Sequence, residues 1–463
     1  MILIYRRPDN IDMENLRGFV TSERFSTGES VLNLHSRDQS GHTPVLPDAV
    51  LWPVEEGEVV KILQYANDHI IPVTGWGAGS SLEGNPMPVK GGIVLDFGMM
   101  NRILSIREED FQADVEPGVI YKDLNKKLRH KGLFFPPDPG ADATVGGMIS
   151  NNSSGTRTVK YGSARDNILR LSVVLANGEV IRTGTRASKT SSGYDLTDLI
   201  TGSEGTLGII TRATLRLTGL PAEFSAVIST FPSVDAAGRA VFDIIRSGLD
   251  PAALELLDPE CVRLINRSRE MGLMEMPTLF IEYHGPSKIY LGEIQETTEE
   301  ICRANGCSEF RAGIGRDERD AFFSARHQLS EMIVRNHPGC SFLSGDSAVP
   351  ISAYPEIIAM AREEVEKNNI TAYIFSHAGD GNLHVKFAGR KNNRKDWRLI
   401  KEINRRIVSK AIALGGTATG EHGVGIGKRI FMEQEHGKAL SLMKKIKEVF
   451  DPNGILNPGK IFP

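Results

Sequence analysis

Residues 134–162, FFPPDPGADATVGGMISNNSSGTRTVKYG, constrain what this chain can fold into more than any other stretch. Pro136, Pro137 and Pro139 exclude a regular helix or a central strand, and Gly146, Gly147 and Gly155 permit backbone positions that other residues resist. Between them lie Thr144, Ser150, Asn151, Asn152, Ser153, Ser154 and Thr156, small donors and acceptors with almost no charge. The stretch reads as a long ordered loop, and loops of that kind usually hold a ligand. A second loop, VTGWGAGSSLEG at 73–84, strengthens the reading. Its glycines fit a dinucleotide fingerprint only loosely, because no βαβ unit opens the chain and Asn85, Pro86, Met87 and Pro88 do not start a helix. No Lys follows in P-loop register. Two uncharged Gly/Ser loops point to a pyrophosphate held by backbone amides outside the Rossmann framework.

Composition narrows the partners. With 463 residues the chain has room for two or three domains, and 40% hydrophobic with 24% charged residues is ordinary for a soluble globular protein. A net charge of −4 with no basic face argues against nucleic acid. No apolar run is long enough to span a membrane, and the start, MILIYRRPDN, resembles neither a signal peptide nor an organelle leader, so a cytoplasmic location is expected. Cys261, Cys302, Cys307 and Cys340 show no iron–sulfur spacing and read as reduced thiols. Any iron–sulfur relay must therefore sit on another polypeptide.

The periodicity predicts a helix over 55–67 and strands over 71–74, 92–97 and 111–115, then a helix over 120–131 ended by Gly132. Asn177-Gly178 predicts a hairpin between 169–176 and 179–183, and 205–217 a last strand before a boundary at Pro221. Beyond it, strands at 225–230, 253–257 and 278–283 alternate with helices at 234–246, from Pro259, and at 287–305, which suggests an antiparallel sheet with helices on one face. Helices are expected over 404–414 and 431–449. The fold class is thus α+β, divided as 1–220, 221–425 and a returning tail at 426–463.

His377 ends a predicted strand over 371–376 and His384 opens the next, with AGDGN turning between them. Glu421 stands in another Gly-rich loop. Two imidazoles and a carboxylate form a divalent-metal set that leaves positions open, although turn histidines are often plain surface residues. Asp380 reads as a turn residue.

Eight blocks in order carry a family resemblance: VTGWGAGSSLEG, DVEPGV (114–119), GLFFPPDPGADATVGGMISNNSSG, KYGSARDNIL (160–169), GYDLTDLITGSEGTLGIIT (193–211), HAGDGNLH (377–384), GEHGVGIGK (420–428) and DPNGILNPGK (451–460). The chain resembles the FAD-linked oxidases of the vanillyl-alcohol-oxidase type. Within them it is most similar to the D-2-hydroxyacid dehydrogenases, above all cytochrome-type D-lactate dehydrogenase. The resemblance implies a two-subdomain PCMH-type FAD-binding domain, an antiparallel-sheet cap (substrate) domain and non-covalent FAD, Ser80 standing where some relatives tether the flavin through His. Gly75, Gly77, Gly79, Ser80 and Ser81 should meet the pyrophosphate. Pro139, Thr144, Gly147, Ser150, Ser154 and Gly155 should line the isoalloxazine and ribityl side, and Glu204, Gly208 and Ile210 should close over the adenine end. It further implies that His377, His384 and Glu421 hold a divalent metal, Zn or Mn, as a Lewis acid on the substrate hydroxyl. Arg326 should bind the substrate carboxylate, with Ser330 one turn on sharing its face. His422, beside Glu421, is the expected base, or else orients Glu421. His327 reads as structural. A hydride would pass to flavin N5.

The implied reaction is oxidation of a D-2-hydroxyacid, D-lactate foremost, with electrons leaving to an external acceptor: quinone, cytochrome, electron-transfer flavoprotein or an iron–sulfur subunit. The near alternatives are a glycolate oxidase flavin subunit and D-2-hydroxyglutarate dehydrogenase; a remote one is a regulatory flavin-binding protein without turnover. A phosphoryl-transfer reading of GVGIGK fails, since His422 takes the first Gly position and Arg429 the Ser/Thr position. The oligomeric state stays open, a homodimer being one option, and contact with a membrane would be peripheral, through the acceptor.

Overall fold

A computed structural model describes residues 5–269 and 271–463; the first four residues of the MILIYRRPDN start lie outside them. The chain forms two units. One comprises 1–154, 163–220 and 421–463, and the other 155–162 and 221–420.

The first unit holds two larger sheets. One runs Phe25–Ser26, Ala49–Leu51, Ile93–Asp96, Val73–Trp76, with the last three strands parallel. The helix Glu56–Asp68 buries Val59, Ile62, Leu63 and Ala66, the stripe its periodicity predicts, in a core shared with Leu51, Val73, Ile93 and Leu95. The C-terminal tail enters the same core through Ile455 and Leu456. There the amide of Val73 donates to Ile455 O (2.8 Å), and the amide of Asn457 donates to Val73 O (2.8 Å). The second sheet is antiparallel, in the order Ile103–Arg107, Gln112–Val115, Ile209–Arg216, Ile168–Val174, Val180–Gly184. Its last pair is the Asn177-Gly178 hairpin, with Gly178 at φ +82°.

The central stretch is less loop-like than its sequence suggests. Helices form at Val145–Asn151 and Thr158–Tyr161. The prolines stop at Pro139, and Thr144 caps the first helix by accepting from the amide of Gly147 (3.3 Å). Gly146 suits that helix because it lies against Pro117, where an added Cβ would come within 2.6 Å of the proline ring.

The second unit is built on seven strands, all antiparallel: Glu309–Ile314, Glu223–Thr230, Thr278–Gly285, Ala253–Leu257, Ala372–His377, Asn382–Arg390, Cys340–Ala348. Helices cover both faces, not one. Val227, Leu254, Leu256, Leu279, Ile281 and Ile374 pack with helices Val234–Arg246, Lys288–Ala304, Tyr354–Lys367 and Arg394–Ala413. The alternating residues Ala226, Ile228, Ala253, Leu257, Phe280 and Tyr373 pack with Pro259–Arg269, Arg316–His327 and Leu329–Asn336. Strands apolar at successive positions are buried on both faces, a pattern the expected one-sided arrangement overlooks. The helix expected over 404–414 begins at Arg394, capped by Asn393, and the one expected over 431–449 breaks at Gly437 (φ +51°).

The segment 155–162 is tied into this unit by Tyr161, whose hydroxyl lies 2.6 Å from His284 Nδ1. His284 Nε2 in turn meets Glu282 Oε1 at 2.5 Å, and Arg157 and Arg319 stand 3.9 Å from the same oxygen. Burial pushes the Glu282 carboxyl up, but His284, Arg157 and Arg319 outweigh it and leave the pKa at about 2. A depressed carboxyl pKa contributes stability above the unfolded value and loses it as pH falls. Between about pH 5 and pH 2 the strand Thr278–Gly285 should therefore lose about 3 kcal/mol of protection against hydrogen exchange. Glu282→Gln should be weaker at about pH 7 and nearly flat across that window. An unchanged acid limb in the variant would assign the loss to other groups.

Candidate active site

A cleft opens in the first unit. Every residue assigned to the flavin from sequence lines it except Gly155: Gly75, Gly77, Gly79, Ser80, Ser81, Pro139, Thr144, Gly147, Ser150, Ser154, Glu204, Gly208 and Ile210. Gly155 belongs to the other unit. The strand Val73–Trp76 delivers the first loop, and backbone is its working surface. At Gly77 an added Cβ would fall 2.3 Å from Thr144 Oγ1, and at Gly79 (φ +64°) 2.6 Å from the Trp76 ring. Among the described residues no Lys or Arg lines the cleft. A pyrophosphate there must be met by amides and hydroxyls, as the uncharged loops predict. Trp76, Asn85, Phe97 and Asn457 also line it, and sequence reasoning overlooks them. Asn457 arrives on the tail and donates to Asn85 O (3.0 Å) and Glu204 O (2.6 Å).

Glu204 lies in the cleft wall, but its carboxylate serves another loop. It accepts from the amides of Val424 (2.6 Å) and Gly425 (2.9 Å) and from Asn85 Nδ2 (2.8 Å). Burial raises its pKa, opposed by those hydrogen bonds. Glu204 thus pins the Gly-rich segment that carries Glu421 and His422, both of which line the cleft. Ser154 Oγ donates to Glu421 Oε2 (3.1 Å), and His422 stands 4.0 Å from Glu421 on one side and 4.0 Å from Glu83 on the other.

In the second unit, His377 and His384 come together on the sheet face that also carries Phe280 and Tyr373. Their rings are 5.1 Å apart and nearly perpendicular (87°), and both are buried. The turn between them requires Gly381 (φ +69°), where a Cβ would lie 2.0 Å from Val349 O. The register sets His377 opposite Glu255 and Asn382, and His384 opposite Phe375 and Asp346. Glu255, fully buried, holds His377 Nδ1 with one oxygen (2.7 Å) and Arg326 Nη2 with the other (2.5 Å). Burial raises its pKa, and His377 and Arg326 outweigh that and lower it. Asp346 accepts from Asn382 (2.7 Å) and Thr419 (2.8 Å) and lies 3.8 Å from His384 Nδ1. Arg326 also stacks over Phe375, 5.1 Å from the ring centroid. Ser330 does not share one helix with Arg326, since the helix breaks at Gln328, and its hydroxyl is taken by Lys386 Nζ (2.5 Å). Burial pulls Lys386 down to about 8. His327 packs against Phe323, and Asp380 ends the short turn Ala378–Asp380. Glu255, Asp346 and Lys386 escape sequence reasoning, although Glu255 and Lys386 stand out as lone charges in the apolar runs AALELL and LHVKFAG.

Comparison with known proteins decides the family. The family described as FAD linked oxidases, C-terminal domain, matches residues 220–461, and the FAD binding domain matches 47–184. The chain belongs to the FAD-linked oxidases. It is 39% identical to the probable mitochondrial D-lactate dehydrogenase of Danio rerio over 453 residues, covering 97% of this chain and 91% of that protein. It is 38% identical to glycolate oxidase subunit GlcD of Bacillus subtilis, covering 95% and 94%. Among solved structures, p-cresol methylhydroxylase with substrate bound shares the fold, with a TM-score of 0.77, 17% identity, and 98% and 96% coverage. The FAD-linked oxidase fold supplies the PCMH-type FAD domain and the antiparallel cap sheet, and the protein is an FAD-binding oxidoreductase. Among the described residues no helix is long and apolar enough to cross a membrane.

Proposed function

We propose that this FAD-linked oxidase converts a small D-2-hydroxyacid, D-lactate foremost, to the 2-oxoacid and passes the electrons to an external acceptor. The observation that carries the reading is the buried His377–His384 pair, with His377 held by Glu255 beside Arg326. The names of the relatives, D-lactate dehydrogenase and glycolate oxidase subunit, support the substrate class and keep glycolate as the second reading.

When bound, FAD supplies the hydride acceptor, and a divalent metal (Zn or Mn) supplies Lewis acidity toward the substrate hydroxyl. The residues fit both groups. Gly75, Gly77 and Gly79 present backbone rather than side chains to the cleft, and two buried imidazoles flanked by carboxylates form a metal-binding chemistry. His377 and His384 are the imidazole donors, and Glu421 is the carboxylate that the family resemblance adds. Arg326 neutralises the substrate carboxylate; its Nε has no hydrogen-bond partner among the described residues. His422 accepts the hydroxyl proton on an imidazole nitrogen. The second unit is the substrate domain.

The test is anaerobic stopped-flow bleaching of the flavin against D- and L-2-hydroxyacids of graded size. D-Lactate should reduce the flavin fastest, its L-enantiomer hardly at all, and acid precipitation should release the FAD, since Ser80 offers no tether. Preference for the L series would sink the reading. Glycolate outrunning D-lactate would select the second one.

A further inference from the structure

We propose that Glu255 is a positioning residue that fixes His377 as its Nδ1–H tautomer, baring Nε2 as a metal donor, while its other oxygen holds the Arg326 guanidinium. The inference rests on the reading of His377 as a metal ligand and Arg326 as the substrate's counter-charge.

The geometry is specific. Glu255 is 0% exposed, in a strand otherwise made of Ala and Leu, and it sits directly opposite His377 in the sheet register. A simple counter-ion for Arg326 would need only one oxygen. Here Oε2 faces Arg326 Nη2 at 2.5 Å and Oε1 faces His377 Nδ1 at 2.7 Å. An ionised carboxylate only accepts, so the hydrogen in the second contact belongs to the imidazole. A neutral imidazole with its hydrogen on Nδ1 has its lone pair on Nε2, and a carboxylate behind a ligating histidine also fixes the ring's orientation. The chain thus couples two elements far apart in sequence: the strand end carrying His377 and the helix Arg316–His327 carrying Arg326. Neither can move without disturbing the other's partner.

The test uses FAD-loaded full-length protein and Glu255→Gln. Glutamine has the same shape but only one accepting end. If its oxygen faces His377, its amide meets Arg326 donor to donor; if it faces Arg326, its amide donates to Nδ1 and reverses the tautomer. Zn or Mn titrated into chelator-treated protein should bind roughly 10–100-fold more weakly in the variant. The imidazole ¹⁵N spectrum of metal-free protein, with the His377 signal identified by its loss in His377→Asn, should show Nδ1–H in the parent and a mixture or reversal in Glu255→Gln. A Glu255→Gln protein that retains FAD, the parent metal affinity and the Nδ1–H tautomer overturns the proposal. If the parent binds no metal yet its tautomer is lost in the variant, the tautomer assignment stands and the metal reading falls. Should Glu255→Gln not fold, Glu255→Asp, too short to reach both partners, must show the same two changes; parent behaviour in both overturns the proposal.

Discussion

His377→Ala is expected to slow flavin reduction by roughly 10²–10⁴-fold while one FAD per chain stays bound. The two halves of this expectation have separate physical sources. The cleft that fits the flavin is lined wholly by residues of the first unit, so a substitution on the cap sheet removes none of its contacts. What it removes is one of two buried imidazoles and, on the proposed reading, a ligand of the Lewis acid, which would be worth several kcal/mol at the hydroxyl. The measurement pairs flavin absorbance per chain with single-turnover reduction by D-lactate. Treatment of the parent enzyme with a strong chelator should reproduce the loss, and added Zn or Mn should reverse it. Full activity in a verified metal-free sample would remove the metal from the mechanism.

The second large effect separates Arg326 from His422. On the proposed reading, Arg326 carries the charge that the substrate carboxylate meets before and during reaction. Arg326→Ala should therefore weaken substrate binding by roughly 2–5 kcal/mol, partly because buried Glu255 loses its cation. His422, as the proposed base, would be needed only as the hydroxyl proton departs. His422→Asn should slow reduction by roughly 10²–10⁴-fold with a milder change in binding, and added imidazole should restore part of the rate. Comparing substrate affinity with limiting reduction rate in the two variants distinguishes the roles. A His422→Asn enzyme at the parent rate would leave His422 as the neighbour that orients Glu421.

Much of the first unit is legible in the sequence. The flavin loops announce themselves because glycine and proline act locally, and the cleft contains nearly every residue those loops nominate. Asn177-Gly178 yields its hairpin for the same reason. Other features resist because they depend on distant partners. The helix at Val145–Asn151 is hidden by two glycines, of which Gly146 is packed on Pro117. Glu204 is a cleft residue by position, but its carboxylate is engaged by Val424 and Gly425, 220 and 221 positions away in sequence. Glu255, Glu282 and Lys386 are single charges in apolar strands; the anomaly is visible, but the pairing partner is set by sheet register and helix docking. Arg326 is nominated for a substrate by resemblance, and nothing near it in sequence foretells that it also answers to Glu255.

The tail that threads beside Val73 has a consequence for how the protein is made. Asn67 and Asn453 meet across 386 positions, which at about 5–20 residues per second corresponds to roughly 20–80 s of synthesis. The flavin-binding unit therefore spends that interval with its first parallel strands uncovered on the tail side. Meanwhile the seven-stranded sheet, drawn from 221–420, emerges and can close first. The nascent chain should accept FAD only once residues 451–457 have cleared the ribosome.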